Sequence, residues 1–246
     1  MKFVEQSLPQ PAGQFPCALD LSGAWSLADG EGGNAATITL PGDVHSALFA
    51  SELIPDPYFG RNEYAVRWVA ERDWVLSRDF VLDDPDVDLV VSGLDTVAEV
   101  SVNGRTVLIA ANSFRTWRAD LSDAAVAGEN RIEIVIRSSI AEGARLQAEQ
   151  PFRVPWHKGN CPIANGNMLR KPQCDFGWDW NIALAPLGVY GEIRLEPKRS
   201  ARLTGVSVFQ RHEKGRATLT LTANVVGEAV GKGVEFLFGG SLREAP

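Results

Sequence analysis

Alternation of apolar and polar residues with a period of two runs through much of the chain. In "AEVSVNGRTVLI", Ala98, Val100 and Val102 alternate with Glu99 and Ser101. Asn103-Gly104 then supplies a tight-turn dipeptide and "RTVLI" returns, the pattern of a β-hairpin. "NRIEIVIR" sets Ile132, Ile134 and Ile136 on one face and Arg131, Glu133 and Arg137 on the other. "DWVLSRDFVL", "DLVVSG" and "GVYGEIRLE" read as further strands. Many short strands separated by turn residues predict an all-β chain built as an antiparallel sandwich. Helix is scarce. "DVHSALFAS", after Pro41-Gly42, predicts one or two turns capped by Asp43. "SIAEGARLQAEQ", Ser139 to Gln150, predicts the other helix, weakened by Gly143.

Residues 151–186 break the pattern. They hold five prolines, three glycines and four asparagines and sustain no period. Long connections without regular structure are usually functional or disordered, and the tryptophans here argue against disorder. An ordered excursion from the sandwich is the expectation. After "LEPKRSARL" alternation resumes in "TGVSVFQR", "ATLTLTANVV" and "GVEFLF". Three strands are too few for an immunoglobulin-like sandwich, which needs about seven. The expected organisation is a first domain over 1–198 and a partial second β-domain over 199–246, parted near Pro197–Ser200.

Composition narrows the function. The 246 residues are 45% hydrophobic and 22% charged, with a net charge of -7. That is globular composition, and without a Lys/Arg run it argues against nucleic acid as a partner. No stretch approaches the ~20 apolar residues of a membrane span, and the N-terminus has no apolar run of signal-peptide length. The odd count of Cys17, Cys161 and Cys174 fits free thiols in a reducing compartment better than a disulfide framework, so a cytoplasmic protein is expected. His45, His157 and His212 are scattered, and no metal site or cofactor is expected.

Several runs together resemble the N-terminal sugar-binding domain of β-mannosidases in glycoside hydrolase family 2. They are "LSGAWSL" (Leu21–Leu27), "LPGDVHSALFASELIPDPYFGRNE" (Leu40–Glu63), "RWVAERDWVLSRDF" (Arg67–Phe80), "GLDTVAEVSVNG" (Gly93–Gly104), "LRKPQCDFGWDW" (Leu169–Trp180) and "GVYGEIRLE" (Gly188–Glu196). The resemblance implies a jelly-roll β-sandwich of the galactose-binding-domain-like kind, followed by an incomplete immunoglobulin-like domain. It implies a parent enzyme that removes terminal β-linked mannose with retention, using two glutamates of a catalytic (β/α)₈ barrel. Such a barrel needs ~250 residues, and this chain has no βαβ pattern. The expected catalytic residues here are therefore none, and the chain's role is to shape the substrate pocket. One departure stands out: Asn181 and Ile182 occupy positions where such enzymes usually continue Gly-Pro.

"GWDW" is the candidate site. In an extended segment Trp178 and Trp180 share a face and Asp179 points away. Aromatic faces pack on sugar rings and a carboxylate accepts from hydroxyls; the bland reading is that both tryptophans pin the loop to the sandwich. The resemblance implies that Asp179 contacts the terminal mannose, with Trp178 beside it and Trp180 mainly structural. Arg170 and Lys171 read as a solvated pair, with Arg170 pairing Asp175 or Asp179 as the alternative. In "IPDPYFGRNE", Asp56 and Glu63 read as partners of local backbone donors. Three rivals stay open: a free-standing carbohydrate-binding module, a non-carbohydrate interaction domain of the same fold, and a self-contained hydrolase using Asp175 and Asp179.

Overall fold

The structure, a computed structural model, describes residues 19–159, 161–179, 181–198 and 202–226. Residues 19–196 form one compact unit, and the hairpin at 202–226 belongs to another. In chain order the strands are β1 (Leu19–Asp20), β2 (Gly23–Asp29), β3 (Ala35–Leu40), β4 (Gly42–Asp43), β5 (Trp74–Leu82), β6 (Val87–Val91), β7 (Leu94–Asp95), β8 (Val97–Val102), β9 (Arg105–Ala111), β10 (Trp117–Asp120), β11 (Gly128–Ile136), β12 (Gly188–Val189) and β13 (Ile193–Pro197). The second unit holds β14 (Arg202–Glu213) and β15 (Arg216–Val226).

A six-stranded sheet runs β3-β2-β5-β11-β8-β9 and a four-stranded sheet runs β1-β13-β6-β10. The inward residues of the first include Leu27, Leu76, Val100 and Ile134, which meet Leu89, Val91, Ile193 and Leu195 of the second in one continuous core. This is the expected jelly-roll sandwich, and the period-two pattern is its cause: Ile132, Ile134 and Ile136 are all buried. Asn103 takes a positive φ of 52° and Gly104 one of 79°, as the turn between β8 and β9 requires. Trp25 and Trp74 are buried, each with its indole N–H donated to a backbone carbonyl, Leu21 O and Val69 O.

Helix α1 (Val44–Ala50) starts at Asp43, whose carboxylate accepts from the Ser46 N–H and hydroxyl. Helix α2 (Asn62–Ala65) is a single turn. Helix α3 (Ser139–Ala148) is capped by Ser138, so the Gly143 that weakens its propensity is tolerated; a Cβ there would meet the Asn165 carbonyl at 2.9 Å. The hairpin β14–β15 has most side chains exposed, Val208 and Phe209 among them. "GVEFLF" lies outside the described residues, as does Trp180.

Candidate functional site

A third sheet, β4-β12-β7, builds the floor of the site. Gly188 of β12 pairs with Asp43 on one side and Asp95 on the other. Only glycine fits there: a Cβ on Gly188 would lie 2.2 Å from the Gly42 carbonyl oxygen. The close approach brings both aspartates to the end of one small sheet, beside the long loop.

That loop is ordered by its own contacts. The 3-10 turn Gln173–Phe176 buries Phe176 against Ala70, Ile163, Leu169, Ala183 and Ala185. Gln173 Nε2 reaches three carbonyls, Gly166, Leu169 and Lys171, at 3.0 to 3.3 Å. The Ala185 N–H donates to Asp175 O at 2.7 Å, and the Ala183 N–H donates to the Glu63 carboxylate at 3.1 Å. Glu63 therefore serves a distant backbone donor, where a local one was expected. Asp56 does act locally, accepting from the Tyr58 N–H at 2.9 Å.

Lys171 is the correction of greatest consequence. It is 1% exposed, not a solvated residue. Its ammonium lies 3.0 Å from Asp95 Oδ2, 3.4 Å from Asp175 Oδ2 and donates to Pro186 O at 2.5 Å. Two carboxylates and a carbonyl thus surround the ammonium, the condition under which a buried charge is tolerated. The contacts tie β7 to the Gln173–Phe176 turn and to the far end of the loop. Arg170 is exposed, and it joins the fold through its backbone carbonyl, which accepts from Ser113.

Burial shapes the acid–base character here. It pushes Asp95 up to about 6 against the pull of Lys171, and raises Asp175 in the same way. Burial pushes His45 down to about 4, with Asp43 opposing. His45 is therefore a neutral imidazole at pH 7, and neither ring nitrogen has a hydrogen-bond partner. The phenol of Tyr190 is raised by burial and by Asp43, Asp95 and Asp175. Among the described residues no group of His, Cys, Asp and Glu could hold a metal ion.

The loop's tip contrasts with this root. Gly177, at φ 101°, turns the chain outward. The Asn181 N–H then closes on Trp178 O, and Asn181 Nδ2 donates to Cys174 O at 2.9 Å. Trp178 is 45% exposed and Asp179 is exposed at the turn between them. Trp178 is in neither apolar cluster of the sandwich and loop. Asn181 supplies two of the turn's hydrogen bonds and Ile182 packs against the main core, which is what this departure contributes structurally. Asp175 is committed to Lys171 while Asp179 faces outward, so the two are not an enclosed carboxylate pair.

A cavity of about 630 Å³ opens over the small sheet, walled by α1, the 56–58 segment and the loop. Asp43, His45, Asp95, Asp175 and Tyr190 line it; Trp178 and Asp179 do not. Sequence reasoning missed His45, Asp95, Tyr190 and Lys171 as neighbours. The one local signal was the four-residue spacing of Lys171 and Asp175.

This sandwich, with a structured loop raised from it, matches a known family. Residues 25–191 match the model of the glycosyl hydrolase 2 galactose-binding domain-like family, and the chain belongs to it. Among curated relatives it is similar to the β-mannosidase of Mus musculus, 32% identical over 74% of this chain and 22% of the relative. It is also similar to a probable β-mannosidase of Caenorhabditis elegans, 34% identical over 72% of this chain and 21% of the relative. The crystal structure of a β-D-mannosidase from Dictyoglomus thermophilum superimposes with a TM-score of 0.76 at 28% identity, covering 84% of this chain and 26% of that one. The chain thus spans about a fifth of the length of the curated relatives it matches. Among the described residues no helix is long and apolar enough to cross a membrane.

Proposed function

We propose that this chain is the sugar-site-shaping portion of a β-mannosidase-like retaining exo-glycosidase acting on terminal β-linked mannose. Trp178 and Asp179, with Trp180 beside them, form one wall of the pocket for a single mannose unit. The chemistry belongs to two glutamates of a catalytic barrel that this chain does not contain. The observation that carries the reading is the exposed Trp-Asp turn held by a fully paired, buried Lys171. A side chain left in solvent on a costly rigid base is an arrangement suited to meeting a ligand. Relatives named β-mannosidases support the substrate class. The division into a domain over 1–198 and a partial immunoglobulin-like domain over 199–246 belongs to the same proposal. Unpaired thiols at Cys161 and Cys174 support a reducing, cytoplasmic setting.

The test is Asp179→Ala in the full enzyme that carries this segment, with hydrolysis of an aryl β-mannoside as the readout. A hydrogen bond to a charged group contributes roughly 1.5–3 kcal/mol, so turnover efficiency falls about ten- to hundredfold while the fold survives. Unchanged kinetics would make the loop structural. The chain alone does not hydrolyse the substrate; steady turnover abolished by Asp179→Ala would instead restore the self-contained hydrolase.

A further inference from the structure

Two arms of unequal stiffness join the exposed turn to its buried base. The entering arm is Gly177, which follows the 3-10 turn Gln173–Phe176 at a φ of 101°. A glycine imposes little direction on the residue after it. Its carbonyl accepts from the Cys161 thiol at 3.2 Å, and a thiol is a weak donor. The leaving arm is Asn181. Its N–H donates to Trp178 O, and its side-chain Nδ2 donates to Cys174 O at 2.9 Å. Cys174 O also accepts from the Gly177 N–H at 3.1 Å, so both ends of the turn meet at one carbonyl. Cys174 sits in the same short turn as Asp175, whose carboxylate lies 3.4 Å from the Lys171 ammonium, and as Phe176, which is buried. Beyond Asn181 the chain re-enters the fold at once: Ile182 packs on the main core and the Ala183 N–H donates to Glu63.

We infer that Asn181 is a positioning residue for Asp179, its carboxamide carrying the fixed geometry of the loop's base to that carboxylate. The inference rests on the reading of Asp179 as part of a mannose-facing wall. Asp179 occupies the corner between Trp178 and Asn181, so the bond that closes this turn sets the backbone from which its side chain projects. The backbone bond alone leaves the closed turn free to swing on Gly177. The carboxamide bond to Cys174 O removes that freedom, because its acceptor belongs to the anchored base. Asn181 is exposed, so water competes for the bond, and its loss changes local order more than global stability. Rate is sensitive to such order: a group displaced by about 1 Å from its productive place can lose up to about a hundredfold.

The test has two parts. In the full enzyme that carries this segment, kcat/KM for an aryl β-mannoside is measured for Asn181→Ala alone and combined with Asp179→Ala. The single change is expected to lower kcat/KM about three- to tenfold. In the Asp179→Ala background it costs less than about twofold, because a side chain that acts by placing Asp179 has nothing left to place. Asn167→Ala removes a comparable side-chain bond, to Pro155 O elsewhere in the loop, and leaves kcat/KM unchanged. In this chain without substrate, amide nitrogen relaxation reports the order of Asp179 directly. Its order parameter is expected near about 0.85 and falls below about 0.6 in Asn181→Ala, while the thermal midpoint moves by no more than about 2 °C. Unchanged kcat/KM in Asn181→Ala, an equal loss in Asn167→Ala, or an unaltered order parameter would overturn the inference. So would an undiminished loss in the Asp179→Ala background, which is what a residue touching the sugar itself would give. Failure of the wall reading is distinguishable: Asp179→Ala alone would leave kcat/KM unchanged, which removes the role assigned to Asn181 even where the Asp179 amide still loosens.

Discussion

The root and the tip of one loop treat charge in opposite ways. At the root, Lys171 is buried, with its ammonium between two carboxylates and a carbonyl. At the tip, Asp179 is exposed and Trp178 is 45% exposed. Breaking a buried pair costs several kcal/mol, whereas exposed charges contribute little to stability. A loop without regular structure can therefore hold a fixed tip only if its base is over-determined. Here Lys171, Glu63, Gln173 and Phe176 do that from four directions.

The strongest attempt to break this contrast is Lys171→Met. It leaves Asp95 and Asp175 without their cation, and chemical denaturation should show a loss of roughly 3–5 kcal/mol. A loss no larger than that of a surface substitution would mean the root does not anchor the loop.

Next comes pH. His45 is held down to about 4 from 6.5, so the folded state binds fewer protons than the unfolded chain between those values. Its burial adds no pH-dependent cost above 6.5 and costs further stability as pH falls towards 4. Asp95, raised from 3.8 to about 6, works the other way: its contribution is complete below 3.8 and is lost as pH rises through 6. The difference in stability between wild type and His45→Phe should therefore shift against wild type on acidification from pH 6.5 to 4, by on the order of 3 kcal/mol. A pH-independent difference would mean that His45 is solvated.

At the tip, Asp179→Ala should change the stability of this chain by less than about 0.5 kcal/mol, while lowering turnover in the full enzyme as stated above. Thermal melts with and without the substitution measure the first quantity. A large destabilisation would make the tip part of the core's support. The smallest effect sharpens the same contrast at the scale of units. Limited proteolysis should cut near Pro197–Ser200 or within 201–246 before it cuts the strands over 88–137. The sandwich strands bury one face, and β14–β15 has most side chains exposed. First cleavage inside 88–137 would contradict the proposed division.

Much of this was legible in the residues. Alternation placed β5, β8, β9 and β11, Asn103-Gly104 the turn, and Asp43 the cap, because each is a local rule of backbone and side-chain geometry. The same alternation also predicted β14 and β15, where most side chains are exposed among the described residues, because alternation specifies a strand and not what covers it. The loop's "CDFGWDW" was singled out through resemblance, and the structure leaves Trp178 and Asp179 exposed.

What the sequence alone determined is the strands of the long alternating runs, β5, β8, β9 and β11 among them, the excursion at 151–186 and the identity of the side chains at its tip. Only the tertiary structure decided that Lys171 is inside while its neighbour Arg170 is outside, that Glu63 caps the Ala183 backbone, and that His45, Asp95 and Tyr190 share one cavity. The physical reason is one of range. Strand and turn preferences act between residues a few positions apart. The pairing that makes a buried ammonium tolerable comes from Asp95 on another strand and Pro186 at the far end of the loop, and no local pattern encodes the distance between them.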